Sequence, residues 1–293
     1  MSDTPRIHAE AAQLPDARSL LFVPGSTPER FTKALDTDAD VVCLDLEDSV
    51  APEAKEPARR AVLRYLADCS ERARLCVRIN RLGSAEGLED AAALIRSVAR
   101  PAFVMVPKVE SAREIELLTQ AFSSGACPHL IGLIESPRGV EAAFEIAETD
   151  GLSSLLFGSF DYAAETGCSQ DWSALLPVRS RIVAAAGSAA KAALDTPFSS
   201  LDDVAGAAAE AKLARQIGFS GKAAIHPKHV LAINAAFTPT EAELSEAQSI
   251  LAAFTAAGGR ACRVGARFID VPVARRMERL LTRAGPRRQS RSA

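Results

Sequence analysis

Eight short apolar runs, each followed by a stretch of helical pattern, constrain this chain more than any other feature. They are RSLLFVPG (18–25), DVVCLDLED (40–48), RLCVRIN (74–80), AFVMVPKV (102–109), IGLI (131–134), SSLLFG (153–158), AALDTP (192–197) and GKAAIH (221–226). Their apolar residues are continuous rather than alternating, as strands covered on both faces require. Strands that alternate with helices build a parallel sheet, and eight such units predict closure into a (β/α)₈ TIM barrel. A doubly wound sheet is the competing fold, but no GxGxxG or phosphate-binding loop sequence follows any run. The length of 293 residues fits a barrel of roughly 250 residues with a tail.

Three divisions follow. Residues 1–17 read as a flexible leader, 18–238 as the barrel and 239–293 as a C-terminal helical extension. After Pro239 the pattern changes to a helix ended by a glycine pair (TEAELSEAQSILAAFTAAGG), a short extended piece (CRVGARFID) and a last helix (VPVARRMERLLTRA). Such an extension either packs on the barrel outside or acts as a lid over a barrel mouth, in its own or a neighbouring subunit. The basic end, RAGPRRQSRSA, reads as a solvated tail.

Composition removes some function classes. A net charge of −3 gives no whole-molecule field favouring nucleic acid or an anionic membrane. No apolar stretch reaches the ~18 residues of a membrane span, and the N-terminal segment has no secretory core. The six cysteines show no CxxC pair and no zinc spacing. Cys43 and Cys76 fall inside apolar runs, as buried thiols of a reducing compartment do, so the expected location is cytoplasmic.

In a barrel of this kind chemistry belongs at the carboxyl ends of the strands. The polar residues there are Asp45, Glu47 and Asp48 after run two, Arg78 after three, Lys108 after four, Glu135 after five, Asp161 after six and His226 after eight. Glu135 and Asp161 bracket a strand–helix–strand unit whose helix, PRGVEAAFEIAE, starts with Pro137. Two hard oxygen ligands at one mouth suit a divalent cation, Mg²⁺ or alternatively Mn²⁺. The same spacing also suits a helix-capping Glu135 and a solvated Asp161. Asp45 and Glu47 would bind waters of the metal or orient Arg78. Arg78 carries a fixed charged fork for a carboxylate or a developing enolate oxygen, or forms an ion pair with Asp45 or Glu47. Asp48 reads as a turn residue. Lys108 reads as an ion-pair partner or, less readily, as an amine nucleophile. His226 reads as a backbone-bonded histidine or a general base.

The motifs RSLLFVPGSTPERFTKAL, DVVCLDLEDSVAPEAK, LCVRIN, VMVPKVES, IGLIESPRGV, LLFGSFDYAAETG and GKAAIHPKHV resemble, in order, those of the citrate lyase β-subunit and malyl-CoA lyase family of metal-dependent aldolases. The resemblance implies a (β/α)₈ barrel that binds Mg²⁺ through Glu135 and Asp161. It implies substrate contacts at Arg78, with Phe22 and Lys33 matching further substrate or thioester contacts. It also implies homotrimers or hexamers in which the tail of one subunit closes the active site of the next. An arginine that some malyl-CoA lyases carry after the PGS turn is Thr27 here. In the tail, the VGARFIDVPVARR segment is similar to that of CoA-dependent members, whose block aspartate acts as acid or base. That residue is Asp270, with Pro272 retained and Val273 standing where histidine is common. Asp270 is equally well placed to cap the last helix.

The expected activity is a Mg²⁺-dependent carbon–carbon lyase cleaving a 3-hydroxyacyl-CoA, citramalyl-CoA or malyl-CoA, with coenzyme A as part of the substrate. The alternatives are a malyl-CoA thioesterase at the same site and a citryl-thioester lyase β-type subunit of a carrier-protein complex.

Overall fold

The computed structural model describes residues 17–122 and 127–283. The expected leader and most of the basic tail lie outside these residues. Eight parallel strands close into a barrel in sequence order: β1 (Ser19–Pro24), β2 (Val41–Asp45), β3 (Leu75–Arg78), β4 (Phe103–Val106), β5 (His129–Ile134), β6 (Leu152–Phe157), β7 (Ala192–Asp195) and β8 (Gly221–Ala224). Closure is made by β1 against β8, with Leu20 opposite Ala223. The helices between the strands are α1 (Phe31–Leu35), α2 (Lys55–Asp68), α3 (Ala85–Arg96), α4 (Ala112–Ala121), α5 (Pro137–Glu141), α6 (Ala143–Glu148), α7 (Ser159–Thr166), α8 (Trp172–Ser188) and α9 (Val204–Ile217).

The barrel interior explains the composition of the runs. Leu20, Val41, Cys43, Cys76, Phe103, Met105, Ile131, Leu133, Leu156, Leu194 and Ala223 form one buried cluster. Small side chains on β2, β3 and β8 face large ones on β4 and β5, as close packing in a tapered space demands. Burying a Leu or Phe side chain stabilises by about 1.5–3 kcal/mol, so the interior alone is a large favourable term. Because side chains alternate along a strand, the residues two beyond this layer also point inward. They are Phe22, Asp45, Arg78 and Glu135, and they form the floor of the mouth.

Helix starts follow their caps. Ser111 and Glu114 form the expected capping box at α4. Ser136, not Glu135, caps α5 by accepting from the Gly139 N–H at 3.0 Å, which leaves Glu135 uncommitted to the helix. Run two was expected as extended to Asp48, but β2 ends at Asp45. The Asp45 carboxylate accepts from the Glu47 N–H at 2.9 Å and turns the chain there. Asp161 was expected at the end of strand six. It lies instead in the first turn of α7, because the chain turns at Gly158 and enters the helix at Ser159.

The chain divides into two compact units, one reaching Asn234 and the other starting at Ala235. The division falls inside α10 (Val230–Phe237). The second unit holds α11 (Glu241–Ala256), a hairpin of β9 (Cys262–Val264) and β10 (Arg267–Ile269), and α12 (Val271–Thr282), with α11 packed on α12. The glycine pair after α11, Gly258 and Gly259, takes left-handed backbone angles that end the helix. No helix among the described residues is long and apolar enough to cross a membrane.

Candidate active site

Register brings Asp45 and Arg78 side by side on β2 and β3. Arg78 donates from Nε to Asp45 Oδ1 and from Nη2 to Asp45 Oδ2, both at 2.6 Å. This two-point grip fixes the plane of the guanidinium, and the Phe22 ring supports it from 4.9 Å. Burial alone would push the Asp45 carboxyl up, but the bonds and charge of Arg78 outweigh it and hold Asp45 below the usual carboxylate range. Nη1 of Arg78 lies 2.9 Å from Glu47 Oε2, yet that oxygen is buried and takes no hydrogen bond. Phe22 therefore enters the site through Arg78.

Glu47 stands on the loop after β2, and that loop is clamped. Lys55 donates to the carbonyls of Leu46 (2.9 Å) and Glu47 (2.7 Å) and to Asn80 Oδ1 (2.7 Å). Asn80 also donates to the Leu46 carbonyl and to buried Asp90, which Arg59 grips in turn. Burial pushes the Glu47 carboxyl up. Lys55 and Asn80 carry no spacing signal in the sequence, because their partners meet only when β2 and β3 pair.

Glu135 follows β5 and is buried, 2% exposed. Its Oε1 accepts from the backbone N–H of Lys108 at 2.8 Å. Lys108 has a φ of 51°, a left-handed conformation that costs a non-glycine residue about 1–3 kcal/mol. The kink turns its N–H onto Glu135, and the next N–H, of Val109, returns to the Leu133 carbonyl at 3.2 Å. Gly158 sets the other wall. A Cβ at residue 158 would stand 2.6 Å from both Cβ and Oε2 of Glu135, so only glycine leaves room for that carboxylate. Burial, then the charges of Glu47 and Asp161, push the Glu135 carboxyl up to about 9.

Asp161 completes the cluster from α7, whose first residue is pinned by Ser159 Oγ against Thr196 at 2.9 Å and Gln170 at 3.0 Å. The Lys108 ammonium reaches Glu47 at 3.1 Å, Asp161 at 3.6 Å and Asp48 at 3.8 Å. The ion-pair reading of Lys108 is thus the one observed. Asp48 sits in a turn with its side chain mostly exposed. His226 accepts from the Lys228 N–H at 3.2 Å, the backbone-bonded alternative. Lys33 is exposed on α1, and none of the contacts joining the cluster involves it. Asp270 lies in the second unit, where it caps α12 by accepting from the Val273 N–H at 3.2 Å.

Among the described residues no three His, Cys, Asp or Glu side chains make a ready cation cage. Mg²⁺ does not need one, since it takes one or two carboxylates and keeps several waters. The donor set fits such an ion on two counts. Burial and then the neighbouring carboxylates raise Glu135, and a divalent cation relieves the repulsive part. The buried Glu47 Oε2 has an unused acceptor site of the kind that holds a metal-bound water.

A profile of the HpcH/HpaI aldolase/citrate lyase family matches residues 18–227. A citrate lyase subunit beta-like protein of Mycobacterium tuberculosis is 37% identical over 272 residues, covering 90% of this chain and 94% of the relative. The human mitochondrial citramalyl-CoA lyase is 28% identical over 289 residues, covering 91% and 85%. The crystal structure of protein CitE from Mycobacterium tuberculosis in complex with magnesium, acetoacetate and coenzyme A superposes with a TM-score of 0.79 at 34% identity, covering 93% of this chain and all of that one.

Proposed function

The chain belongs to the HpcH/HpaI aldolase/citrate lyase family, and from that premise we propose that it is a Mg²⁺-dependent carbon–carbon lyase acting on a 3-hydroxyacyl-CoA thioester. Its substrate is citramalyl-CoA, yielding acetyl-CoA and pyruvate, or malyl-CoA, yielding acetyl-CoA and glyoxylate. The observation that carries this reading is the convergence of buried Glu135 and Glu47 with part-exposed Asp161 on one corner of the mouth beside a fixed guanidinium.

Glu135 and Asp161 would hold the cation, which supplies Lewis acidity that lowers the cost of ionising the substrate hydroxyl. Arg78 would use the N–H groups of Nη1, which make no hydrogen bond to Glu47, to bind the α-carboxylate and offset charge as the bond to the acetyl carbon breaks. Asp45 keeps the guanidinium in plane, so the fork is positioned before substrate binds. Asp270 would give a proton to the methylene carbon of the departing acetyl thioester and take it back in the reverse direction. Phe22 and Lys33 would contact substrate, Lys33 at the anionic CoA portion. In a homotrimer or hexamer, Asp270 would come from the tail of a neighbouring copy.

The test is a panel of citramalyl-CoA, malyl-CoA and citryl thioesters with Mg²⁺, following keto-acid release. Pyruvate or glyoxylate supports the lyase. Malate from malyl-CoA marks a thioesterase, and release only from a citryl thioester on a carrier protein marks a β-type subunit. Either result overturns the proposal.

A further inference from the structure

Lys108 is the one cation of the mouth to which the proposed reaction gives no task. Through its main chain it bonds Glu135; through its ammonium it pairs with Glu47, Asp161 and Asp48. One residue thus touches both proposed metal ligands. Five carboxylates meet here, those of Asp45, Glu47, Asp48, Glu135 and Asp161, and they share two cations, Arg78 and Lys108. Arg78 is locked onto Asp45 at two points and is 12% exposed, so it cannot leave. Lys108 makes single contacts from a flexible stem and is 29% exposed, so it can. An ammonium is a compact point charge without the geometric demands of a guanidinium, which suits it to a reversible role.

We propose that Lys108 is a built-in counter-cation of the divalent-ion site: its ammonium neutralises Glu47 and Asp161 while no divalent ion is bound, gives way when one binds, and so sets the affinity of the site. Its cost is a weaker metal site, and its benefit is a mouth that stays assembled between metal-binding events. The inference rests on the reading that Glu135 and Asp161 hold a divalent cation.

The test uses the full chain, stripped of metal and without substrate. Mg²⁺ binding is followed by calorimetry and Mn²⁺ binding by electron paramagnetic resonance for wild type, Lys108→Gln, Lys108→Arg and Glu135→Gln. Lys108→Gln keeps the backbone N–H and most of the stem but removes the charge. It is expected to bind both ions at least about tenfold more tightly, the scale of one unit charge removed from within a few ångströms. Metal-free Lys108→Gln is expected to melt below wild type and to converge with it at saturating Mg²⁺. Lys108→Arg, which restores the charge, is expected to bind within a few-fold of wild type. Equal or weaker binding by Lys108→Gln overturns the inference alone, provided wild type binds metal and Glu135→Gln does not. Failure of wild type to bind either ion, or full binding by Glu135→Gln, overturns the metal reading and this inference with it.

Discussion

Two ion clusters on the same barrel invite comparison. Around β7 and β8, Lys222 donates to Asp195 at 2.7 Å and to Glu210 at 2.6 Å, while Arg179 pairs with Asp195 at 2.9 Å and lies over the Trp172 ring. Two cations meet two acids, and Arg179, Asp195 and Lys222 are buried. At the mouth the acids outnumber the cations, Asp161 and Lys108 are part-exposed, and Glu135 is pushed up to about 9. A buried network with matched charges ties strands to helices, and its remaining orphan, Arg179 Nη1, is sealed from solvent. An open one with an excess of acids gains from a further positive charge. Charge balance and exposure, rather than the number of ion pairs, separate a structural cluster from one built to take a ligand.

The largest expected effects separate the two clusters. Glu135→Gln or Asp161→Asn should cut Mg²⁺-dependent turnover by about 10³-fold or more, since a metal's charge stabilisation is worth several kcal/mol. Either change should leave the metal-free melting temperature unchanged or higher, because it removes a crowded charge. A fall in stability with turnover intact would erase the distinction. Asp195→Ala should do the opposite. Denaturant unfolding should show a loss of about 3 kcal/mol, the cost of stranding buried cations, while the folded fraction keeps its Mg²⁺ affinity.

Smaller effects sharpen the contrast. The proposed proton carrier, Asp270, lies outside the cluster and gives a test of its own. Asp270→Asn should slow turnover by about 10²-fold with KM for the CoA ester close to wild type, in steady-state kinetics. The smallest effect concerns pH. Asp45 is held below its usual range in the folded protein, so its contribution to stability is complete above about pH 4 and drains away as pH falls through the lowered value. Asp45→Asn should therefore flatten the acid limb of stability below pH 4, read from melting temperatures across pH.

The barrel was legible because its signal is local. Strands buried on both faces must be continuously apolar, and β2, β4 and β5 are. Arg78, Asp45 and Glu135 are legible as mouth residues because each is a charged residue at the carboxyl end of an apolar run. What escaped depends on contacts between distant segments. The left-handed turn at Lys108 follows an unremarkable VPK sequence and exists because Glu135 accepts its N–H. The Lys55 clamp needs two carbonyls and Asn80 from neighbouring units. The place of Asp161 in the first turn of α7 rather than at the end of β6 is not legible, because the few residues after Gly158 are too short to show a helical period.

Gly158 carries a consequence for the chain's freedom to vary. The space a methyl group would take at residue 158 is already filled by the Glu135 carboxylate. Mutation at either position is therefore judged against the other. Shortening or swinging the acid would not suffice, because the Cβ of residue 135 lies as close as its carboxylate, so a side chain at 158 needs the backbone of the two strands to move apart. A methyl group at 158 therefore displaces Glu135 itself, so Gly158→Ala perturbs the carboxylate position without altering any charged residue in the sequence.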